Sequence, residues 1–485
     1  MLLVCQSVIL CAHQKSKELV VSVSTAAELT TAIQSAATNL SQSTKIIIHG
    51  QLIGNFEIPQ TIHPLKLVGA DNQAILNGNS AGTTLIVDYG ATVSLKSLFI
   101  IGGSTTTEKG LFDYGYGIFN EGKLSVFECE IINNGAEGGI LNWGDLTIKD
   151  SSVSNNTTYG IYNDFGTANI SYCSINNNSS YGIYTDSGET KISYSSISGN
   201  ATGVYNYYGT STDINCCTIN GNSDTGMYSD YASLITVKTS QFNGNSVGGI
   251  YNEGTTLRIE NSSIENNSGY GIKSYYDSPT TISKSTISGN TQSGIYGNDT
   301  PLTLYKCILE NNSTSTSGGA IYSTCESIIT LTKCLIKGNI ANSTGGGIYN
   351  SFLMTINDSI IENNTSQGCG GGIYNDTYLY GTTESSILII NNSLISNNIS
   401  QGDGGGVYNI GIVTVNGSKV KGNTGLKGGG LANEISGILT LINSSVTENT
   451  ATFGLGGGGG LYNTGSSLVI EQTEVVNNTP DQIVN

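Results

Sequence analysis

The chain has 485 residues, with a formal net charge of −17, 64 glycines, five prolines and ten cysteines. This negative charge argues against nucleic acid and anionic membranes as partners, because both would repel the protein. The sequence contains no run of 18 or more apolar residues, so it predicts no membrane-spanning helix.

Residues 1–19 are interpreted as a possible signal or leader segment. Met1–Ala12 is largely apolar, like the core of a signal peptide, but it lacks a basic start and a clean small-residue cleavage site. A buried first strand and a misplaced start remain as alternatives. An export signal would place the protein at an extracellular or outer-surface location.

Residues 20–110 are predicted to form an N-terminal cap and irregular opening coils. Thr25 and Glu28 form a capping box that opens a helix after the strand Val20–Ser24. The residues that share its apolar face at helical spacing are Leu29, Ala32, Ile33 and Ala36. We expect this helix to cover the sheet edge at the N-terminal end. Further strands are predicted at Ile46–Ile48, Leu65–Val68 and Leu95–Ile101.

Residues 111–485 repeat a unit of about 22 residues roughly fifteen times, which is the pattern of a solenoid. Each unit contains a Gly-Ile-Tyr-Asn element, such as Gly347–Asn350, and an apolar residue followed three positions later by asparagine. Asparagine tolerates left-handed backbone geometry and hydrogen-bonds along a stack, which suits a corner. These asparagines, called the ladder asparagines below, are Asn134, Asn156, Asn178, Asn200, Asn222, Asn245, Asn267, Asn290, Asn312, Asn339, Asn364, Asn398, Asn423, Asn449 and Asn478.

The apolar residues alternate within each unit, as Leu257 and Ile259 do on either side of Arg258, and this period predicts strands. An extended unit is roughly 70 Å long, enough for one coil of three short strands and three bends. Coils stacked about 4.8 Å apart would pair equivalent strands and bury the inward residues in columns. The sequence therefore predicts an all-β fold, a single right-handed parallel β-helix with an N-terminal capping helix.

One column of the repeat holds only small residues, and five cysteines share it with serines: Cys129, Cys173, Cys217, Cys307 and Cys334. The first three are two coils apart, about 9.6 Å, which is beyond the reach of a disulfide. Cys307 and Cys334 lie on adjacent coils, so this pair alone is placed to bond, and the sequence leaves that bond open. The absence of a Cys-x-x-Cys pair argues against a metal at these cysteines.

The repeated Gly-Gly-x-Ile and Phe-x-x-Asn elements resemble the polymorphic outer-membrane protein repeats of chlamydial type. Gly318–Ile321 carries the first element, and Phe242–Asn245 with Gly248–Ile250 carries both. The resemblance extends over roughly residues 111–478, within the wider pectate-lyase-like β-helix superfamily, although most coils have Ile, Val or Leu in place of Phe. It implies a secreted or surface-displayed β-helical passenger that is often adhesive.

Acidic residues recur three positions after the Ile of the repeated element. Asp164 with Asp186, and Asp230 with Glu253, are one coil apart, so their carboxylates are expected about 5 Å from each other. Such pairs suit shared Ca²⁺ ligation or a retaining glycosidase, whereas the glycines that follow them favour simple turn residues. We predict these four residues as candidate Ca²⁺ ligands, with turn formation as the alternative and no other cofactor.

The residue after the Ile is aromatic in most coils, and alternation places it on the outer surface. Such a stripe of rings either offers flat faces to sugars or stacks ring on ring. The candidate binding residues are Tyr205, Tyr228, Tyr251, Tyr374, Tyr378 and Tyr380, the last two within an insert at residues 377–386. Coil length varies mainly between the ladder asparagine and the next glycines, which identifies that corner as the expected binding edge.

Catalysis is the main alternative function for this fold. The three histidines, His13, His49 and His63, precede the regular coils, and Arg258 is the only arginine, so no catalytic residue is assigned. The sequence predicts a secreted or cell-surface adhesin or display scaffold that binds a carbohydrate or protein ligand without catalysis. A polysaccharide lyase or glycoside hydrolase is the alternative. The C-terminal end shows no obvious cap: either the charges of Glu471 and Glu474 protect this sheet edge, or a partner or a missing segment covers it.

Overall fold

The structure is a computed structural model that describes residues 18–104, 115–377 and 385–485. Within these ranges the chain forms an all-β, right-handed parallel β-helix of about 20 turns with one α-helix, which confirms the predicted fold class. Residue 111, where the regular coils are expected to begin, lies outside the described residues. So do the leader up to residue 17 and the tyrosines Tyr378 and Tyr380.

The helix α1, Ala26–Ala37, begins at the predicted capping box. Thr25 Oγ1 accepts a hydrogen bond from Glu28 N (3.3 Å), and Glu28 Oε2 accepts one from Thr25 N (3.1 Å). The apolar face of α1 is buried against the first strands and belongs to the same core as the coils. The helix therefore closes the N-terminal end of the solenoid.

Each coil contributes one strand to each of three parallel sheets. Sheet I contains the Ile-Tyr-Asn strands, sheet II follows it around a short corner, and sheet III leads to the ladder asparagine. Equivalent residues lie opposite each other in adjacent coils, as Ile250 and Ile272 do in sheet I. The alternation of side chains then sends the Ile column inward and its neighbours outward.

The strands of sheet I are Phe56–Ile58, Leu85–Val87, Tyr116–Asn120, Gly138–Asn142, Tyr159–Asp164, Tyr181–Asp186, Thr202–Tyr207, Thr225–Asp230, Gly248–Glu253, Tyr270–Tyr275, Ile295–Asn298, Ile321–Thr324, Ile348–Asn350, Ile373–Asn375, Val407–Asn409, Leu431–Asn433, Leu461–Asn463 and Ile483–Val484. The strands of sheet II are Leu19–Val23, Thr44–Ile48, Leu65–Gly69, Thr92–Lys96, Lys123–Phe127, Asp145–Lys149, Thr167–Ser171, Glu189–Ser193, Ser211–Asn215, Leu234–Lys238, Thr256–Glu260, Thr280–Ser283, Pro301–Tyr305, Ile328–Thr332, Leu353–Asn357, Ile387–Asn391, Ile412–Asn416, Ile438–Ile442 and Ser467–Glu471. The strands of sheet III are Gln51–Ile53, Ile75–Asn77, Phe99–Ile101, Glu130–Ile132, Ser152–Ser154, Ser174–Asn176, Ser196–Ser198, Thr218–Asn220, Gln241–Asn243, Ser263–Glu265, Thr286–Ser288, Ile308–Glu310, Leu335–Lys337, Ile360–Glu362, Leu394–Ser396, Lys419–Lys421, Ser445–Thr447 and Glu474–Val476.

The later coils add a short fourth strand at the corner where the sequence varies in length. These two-residue strands form a small sheet of their own and are Ser313–Thr314, Ile340–Ala341, Thr365–Ser366, Ile399–Ser400, Thr424–Gly425 and Thr450–Ala451. The insertions after the ladder asparagine are thus partly ordered as stacked strands. Their equivalents pair from coil to coil, as Ile340 does with Thr365.

The prediction of one strand over Leu95–Ile101 is wrong. The structure has two strands there, because the chain turns between sheet II and sheet III at Ser97, whose φ of 53° is left-handed. A corner of this kind interrupts an apolar run without a glycine or a proline to mark it. Strand propensity alone therefore does not locate it.

The ladder asparagines form one continuous row of buried hydrogen bonds. At each step the backbone N–H and the side-chain Nδ2 of one asparagine both donate to Oδ1 of the next, as from Asn245 to Asn267 (3.0 and 2.9 Å). Asn267 Nδ2 also donates to the carbonyl oxygen of Phe242 in the preceding coil (3.2 Å). The row begins at Asn134 and includes every ladder position.

The left-handed residue at this corner precedes the ladder asparagine. It is an asparagine or a glycine in most coils, such as Asn266 (φ 54°) and Gly289 (φ 64°). The expectation that the ladder asparagine itself supplies left-handed geometry is therefore wrong. Its position depends on hydrogen bonding, and the residue before it makes the turn.

A second set of asparagines is stacked in sheet I, in the last position of the Gly-Ile-Tyr-Asn element. Asn350 donates to Asn375 (2.8 Å), Asn375 to Asn409 (2.9 Å) and Asn409 to Asn433 (2.8 Å). Sequence reasoning gave these residues no role. Their inward direction follows from the alternation of side chains along the strand, because each is preceded by a residue of the outward column, which is Ala432 before Asn433 and a tyrosine before the other three.

The small-residue column is buried as predicted, and its serines serve as hydrogen-bond bridges. Ser151 Oγ accepts from the backbone N–H of Cys129 (3.1 Å) and donates to the carbonyl of Lys149 (2.7 Å). The eight cysteines within the described ranges are free thiols. The thiols of Cys307 and Cys334 hydrogen-bond to each other, which together with burial raises the pKa of Cys307.

At the C-terminal end the asparagine row ends on Gln482. The N–H and Nδ2 of Asn478 donate to Gln482 Oε1 (3.0 and 3.1 Å), so the row has a polar cap. The apolar column has none among the described residues: Ile470 is 37% exposed, whereas its partner Leu441 is 0% exposed. A segment or partner that covers this end stays a prediction.

Replacing Asn267 by alanine is expected to destabilise the protein by about 3 kcal/mol, because it leaves buried donors of Asn245 without their acceptor and interrupts the row. Urea unfolding followed by circular dichroism measures the change. The matched control is Asn243→Ala, at an exposed position of the neighbouring coil, which should cost less than about 0.5 kcal/mol. Equal losses for the two variants would contradict a stabilising role for the row.

Candidate functional site

The outer surface of sheet I carries a stripe of tyrosines, as the sequence predicted. Each follows a fully buried Ile-type residue, so it points away from the core. The tyrosine stripe consists of Tyr162, Tyr184, Tyr205, Tyr228, Tyr251, Tyr296, Tyr322, Tyr349, Tyr374 and Tyr408. The position between Tyr251 and Tyr296 is occupied by Lys273.

Two runs of the stripe, Tyr184 to Tyr251 and Tyr349 to Tyr408, are stacked ring on ring, whereas Tyr322 meets both of its neighbours edge to face. Tyr184 and Tyr205 have centroids 4.9 Å apart and planes at 4°; Tyr205 and Tyr228 are 5.2 Å apart at 7°. Tyr374 lies between Tyr349 and Tyr408 in the same way. The faces of these rings are therefore covered by their neighbours, so that a ligand meets ring edges and hydroxyl groups.

The predicted acidic pairs are brought together in the strands of sheet I. Asp164 lies opposite Asp186, and Asp230 lies opposite Glu253, while Tyr207 separates the two pairs. The carboxylates lie on the same face as the tyrosine stripe, because both positions have the same parity along the strand.

Tyrosine hydroxyls donate to these carboxylates from neighbouring coils. Tyr205 donates to Asp230 Oδ2 (3.3 Å), and Glu253 Oε2 accepts from Tyr228 (3.1 Å) and Tyr275 (2.7 Å). The same pattern returns in later coils between Tyr349 and Asp376 and between Tyr408 and Glu434. Tyrosines and carboxylates thus form one hydrogen-bonded surface.

Burial and like charge both act on the acidic pairs. Burial, and then the neighbouring Glu253, raise the pKa of Asp230, while the hydroxyl of Tyr205 opposes the change. Burial and Asp186 likewise raise the pKa of Asp164. Among the described residues no group of three His, Cys, Asp or Glu side chains is placed to hold a metal ion. The Ca²⁺ sites at both pairs stay a prediction.

Lys273 is a residue that sequence reasoning missed. Its ammonium lies over the rings of Tyr251 (5.1 Å), Tyr275 (5.2 Å), Tyr296 (5.7 Å) and Tyr270 (5.8 Å). Burial lowers the pKa of Lys273, and the nearby carboxylate of Glu253 opposes this. The signal in the sequence was a lysine at a position that holds an aromatic residue in the flanking coils.

A second group of aromatic residues was also missed. It lies at the corner between sheets I and II, immediately after the acidic column, and its rings are at least half exposed: Phe165 (76%), Tyr208 (64%), Tyr231 (50%) and Tyr276 (56%). The sequence does contain a signal for this group: each of these aromatic residues comes directly after the acidic column or its equivalent at the end of the sheet I strand. Arg258, on sheet II, is exposed as predicted.

A different carboxyl pair, Asp403 and Glu434, lies at the later coils. Burial and a hydrogen bond with Asp403 raise the pKa of Glu434 to about 7, while Lys427 and the Tyr408 hydroxyl act in the opposite direction. The buried Oε1 of Glu434 has no hydrogen-bond donor beside it among the described residues. The carboxyl groups of Glu434 and Asp403 can therefore hydrogen-bond to each other only when one of them holds a proton. Ala432 replaces the stripe tyrosine in this coil.

Stability should fall as the pH rises from about 4.5 to about 7, because folded Glu434 keeps a proton that the unfolded chain has already released. Glu434→Gln removes this titration. We expect its melting temperature to exceed that of the wild type by about 2 °C at pH 8 and to match it at pH 5. The exposed control Glu326→Gln should show no such difference, and a pH-independent effect of Glu434→Gln would contradict the assignment.

Two family models match parts of the chain. A right handed beta helix region matches residues 184–315, and the Chlamydia polymorphic membrane protein repeat matches residues 358–376. The resemblance to chlamydial-type repeats is confirmed, over a shorter stretch than residues 111–478. Fold and repeat together support a secreted or surface β-helical protein. A comparison with curated proteins finds no match.

Several solved structures are similar to the chain at low identity. The periplasmic alginate epimerase AlgG is 11% identical, with 64% of this chain and 83% of that chain covered and a TM-score of 0.43. An alginate lyase from Paenibacillus sp. str. FPU-7 is 14% identical, with 80% and 98% covered and a TM-score of 0.24. Tailspike protein 2 from Escherichia coli O157:H7 bacteriophage CAB120 is 10% identical, with 63% and 40% covered and a TM-score of 0.30. No functional conclusion follows from these values.

In the part of the chain that the structure describes, no helix has the length and apolar character needed to cross a membrane.

Proposed function

We propose that the protein is a secreted or cell-surface adhesin or display scaffold that binds a carbohydrate or protein surface ligand without catalysis. The observation that carries this proposal is the outer surface of sheet I, where tyrosine hydroxyls and carboxylates form stacked columns over successive coils. Such columns repeat one set of contacts along the solenoid axis. Repetition suits a ligand that is itself extended or repeated, because several weak contacts then act together.

A polysaccharide lyase or glycoside hydrolase is the second candidate. It is favoured by Glu434, because burial and the hydrogen bond with Asp403 raise the pKa of Glu434 to about 7, which is in the range of a general acid at neutral pH. The coils that contain Asp403 and Glu434 have no histidine. In such an enzyme, Lys427 and Tyr408 would be the polar side chains that assist the carboxyl pair.

The first experiment measures binding of the full chain to a glycan array and to host cells, with and without Ca²⁺, while the same glycans are monitored for cleavage. Saturable binding without cleavage supports the adhesin. Cleavage that is lost in Glu434→Gln, or in Asp164→Asn or Asp230→Asn, would replace it by the enzyme. Loss of binding in a Ca²⁺ chelator would assign Ca²⁺ to the acidic pairs.

Replacing Tyr205, Tyr228 and Tyr251 together by alanine is expected to weaken adhesion roughly tenfold, because it removes ring edges and hydroxyl groups from the centre of the surface. Adhesion to cells and array glycans is measured by a concentration series. Circular dichroism and thermal unfolding establish that the variant is folded.

A companion variant, with the same three tyrosines replaced by phenylalanine, keeps the ring stack and removes only the hydroxyl donors to Asp230 and Glu253. Adhesion that falls in both variants assigns the contact to the hydroxyl groups; a fall in the alanine variant alone assigns it to the rings. Unchanged adhesion in a folded alanine variant would rule out the stripe as the ligand surface.

A further inference from the structure

The corner between sheets I and II presents a row of exposed aromatic side chains, called here the corner shelf: Tyr208, Tyr231 and Tyr276. The three residues occupy equivalent positions, with Gly254 in the coil between Tyr231 and Tyr276. Tyr231 and Tyr276 have left-handed φ values of 48° and 56°, which turn their side chains outward from the corner.

Gly254 allows the shelf to be continuous. A Cβ atom placed on Gly254 would lie 2.5 Å from the ring of Tyr231, so that ring extends over the glycine into the next coil. Tyr231 thereby bridges the gap toward Tyr276. With coils about 4.8 Å apart, the shelf spans roughly 14 Å along the solenoid axis.

The shelf differs from the tyrosine stripe in what it offers to a ligand. Within the stacked runs of the stripe, a ring is covered on both faces by its neighbours, as Tyr205 is by Tyr184 and Tyr228. At least half of each shelf side chain is exposed. The shelf therefore presents apolar ring surface to solvent, where the C–H faces of a sugar can pack.

Carboxylates line the shelf on its sheet I side. Asp230 and Glu253 directly precede Tyr231 and Gly254 in the chain, and their hydrogen bonds within the described residues engage Oδ2 and Oε2. Their second oxygens remain as acceptors for a ligand donor. Asp277 and Asp299 are exposed at the far end of the shelf, and the ammonium of Lys273 is held among tyrosine rings.

We propose that the corner shelf binds neutral or amino-sugar glycan chains, whose rings pack on Tyr231 and Tyr276 while hydroxyl or ammonium groups donate to Asp230 and Glu253. This inference rests on the proposed adhesin function and adds the ligand class to it. Uronate chains should bind more weakly, because their carboxylates would be repelled by the four carboxylates along the shelf.

The test is a calorimetric titration of the full chain with hexamers of N-acetylglucosamine, of glucosamine and of alginate. The wild type should bind the first two and bind alginate at least tenfold more weakly, because charge repulsion opposes it. Tyr231→Ala combined with Tyr276→Ala should weaken binding of the N-acetylglucosamine hexamer roughly tenfold.

The matched control is Tyr172→Ala combined with Tyr194→Ala. These two tyrosines are equally exposed (53% and 52%), have left-handed φ values of 54° and 50°, and lie at the opposite corner, between sheets II and III. The control removes two tyrosine rings from positions of the same backbone geometry but away from the shelf, so it should leave binding unchanged. Asp230→Asn with Glu253→Gln should reduce the discrimination against alginate.

The outcomes separate the two proposals. A wild type that binds neither hexamers, array glycans nor cells would overturn the adhesin and the shelf together. Binding to cells without binding to any glycan would overturn the shelf alone and point to a protein ligand. Equal binding of alginate and N-acetylglucosamine hexamers, or equal losses in the shelf and control variants, would also overturn the shelf while the adhesin stands.

Discussion

The row of buried asparagines is the interaction on which the rest of the structure depends. Each asparagine needs the next one at a single distance and direction, because its N–H and Nδ2 share one acceptor oxygen, as from Asn245 to Asn267. A shift of one residue in any coil would bury unpaired amides. The row therefore holds the coils from Asn134 to Asn478 in register, although their lengths differ by more than ten residues between Asn200–Asn222 and Asn364–Asn398.

A fixed register turns every outward position into a column along the solenoid. Where a column holds tyrosines, the coil spacing matches the spacing of stacked rings, so Tyr184, Tyr205 and Tyr228 cover one another. The coil spacing that aligns these tyrosines therefore also shields the faces of their rings from solvent. Exposed ring surface remains at the corners, where left-handed residues such as Tyr231 direct their side chains away from the stack.

Columns also concentrate charge. Asp230 and Glu253 lie in adjacent coils, and both accept hydrogen bonds from tyrosine hydroxyls of neighbouring coils. This network keeps partly buried carboxylates close together in a protein of net charge −17. The outer surface of sheet I consequently combines hydrogen-bond acceptors with aromatic groups, and both proposals about ligand binding depend on that combination.

The repeat by itself determined the parallel β-helix and its columns, because two elements that share one period place equivalent residues in line when the units stack. The capping helix followed from its own local signal, the capping box of Thr25 and Glu28. The repeat located the ladder, the tyrosine stripe and the acidic pairs. Only the tertiary structure decided that stacking covers the faces of Tyr205, that Lys273 lies among four rings, and that Glu434 meets Asp403. These are contacts between coils, which depend on side-chain direction and on residues far apart in the chain, and no local pattern encodes them.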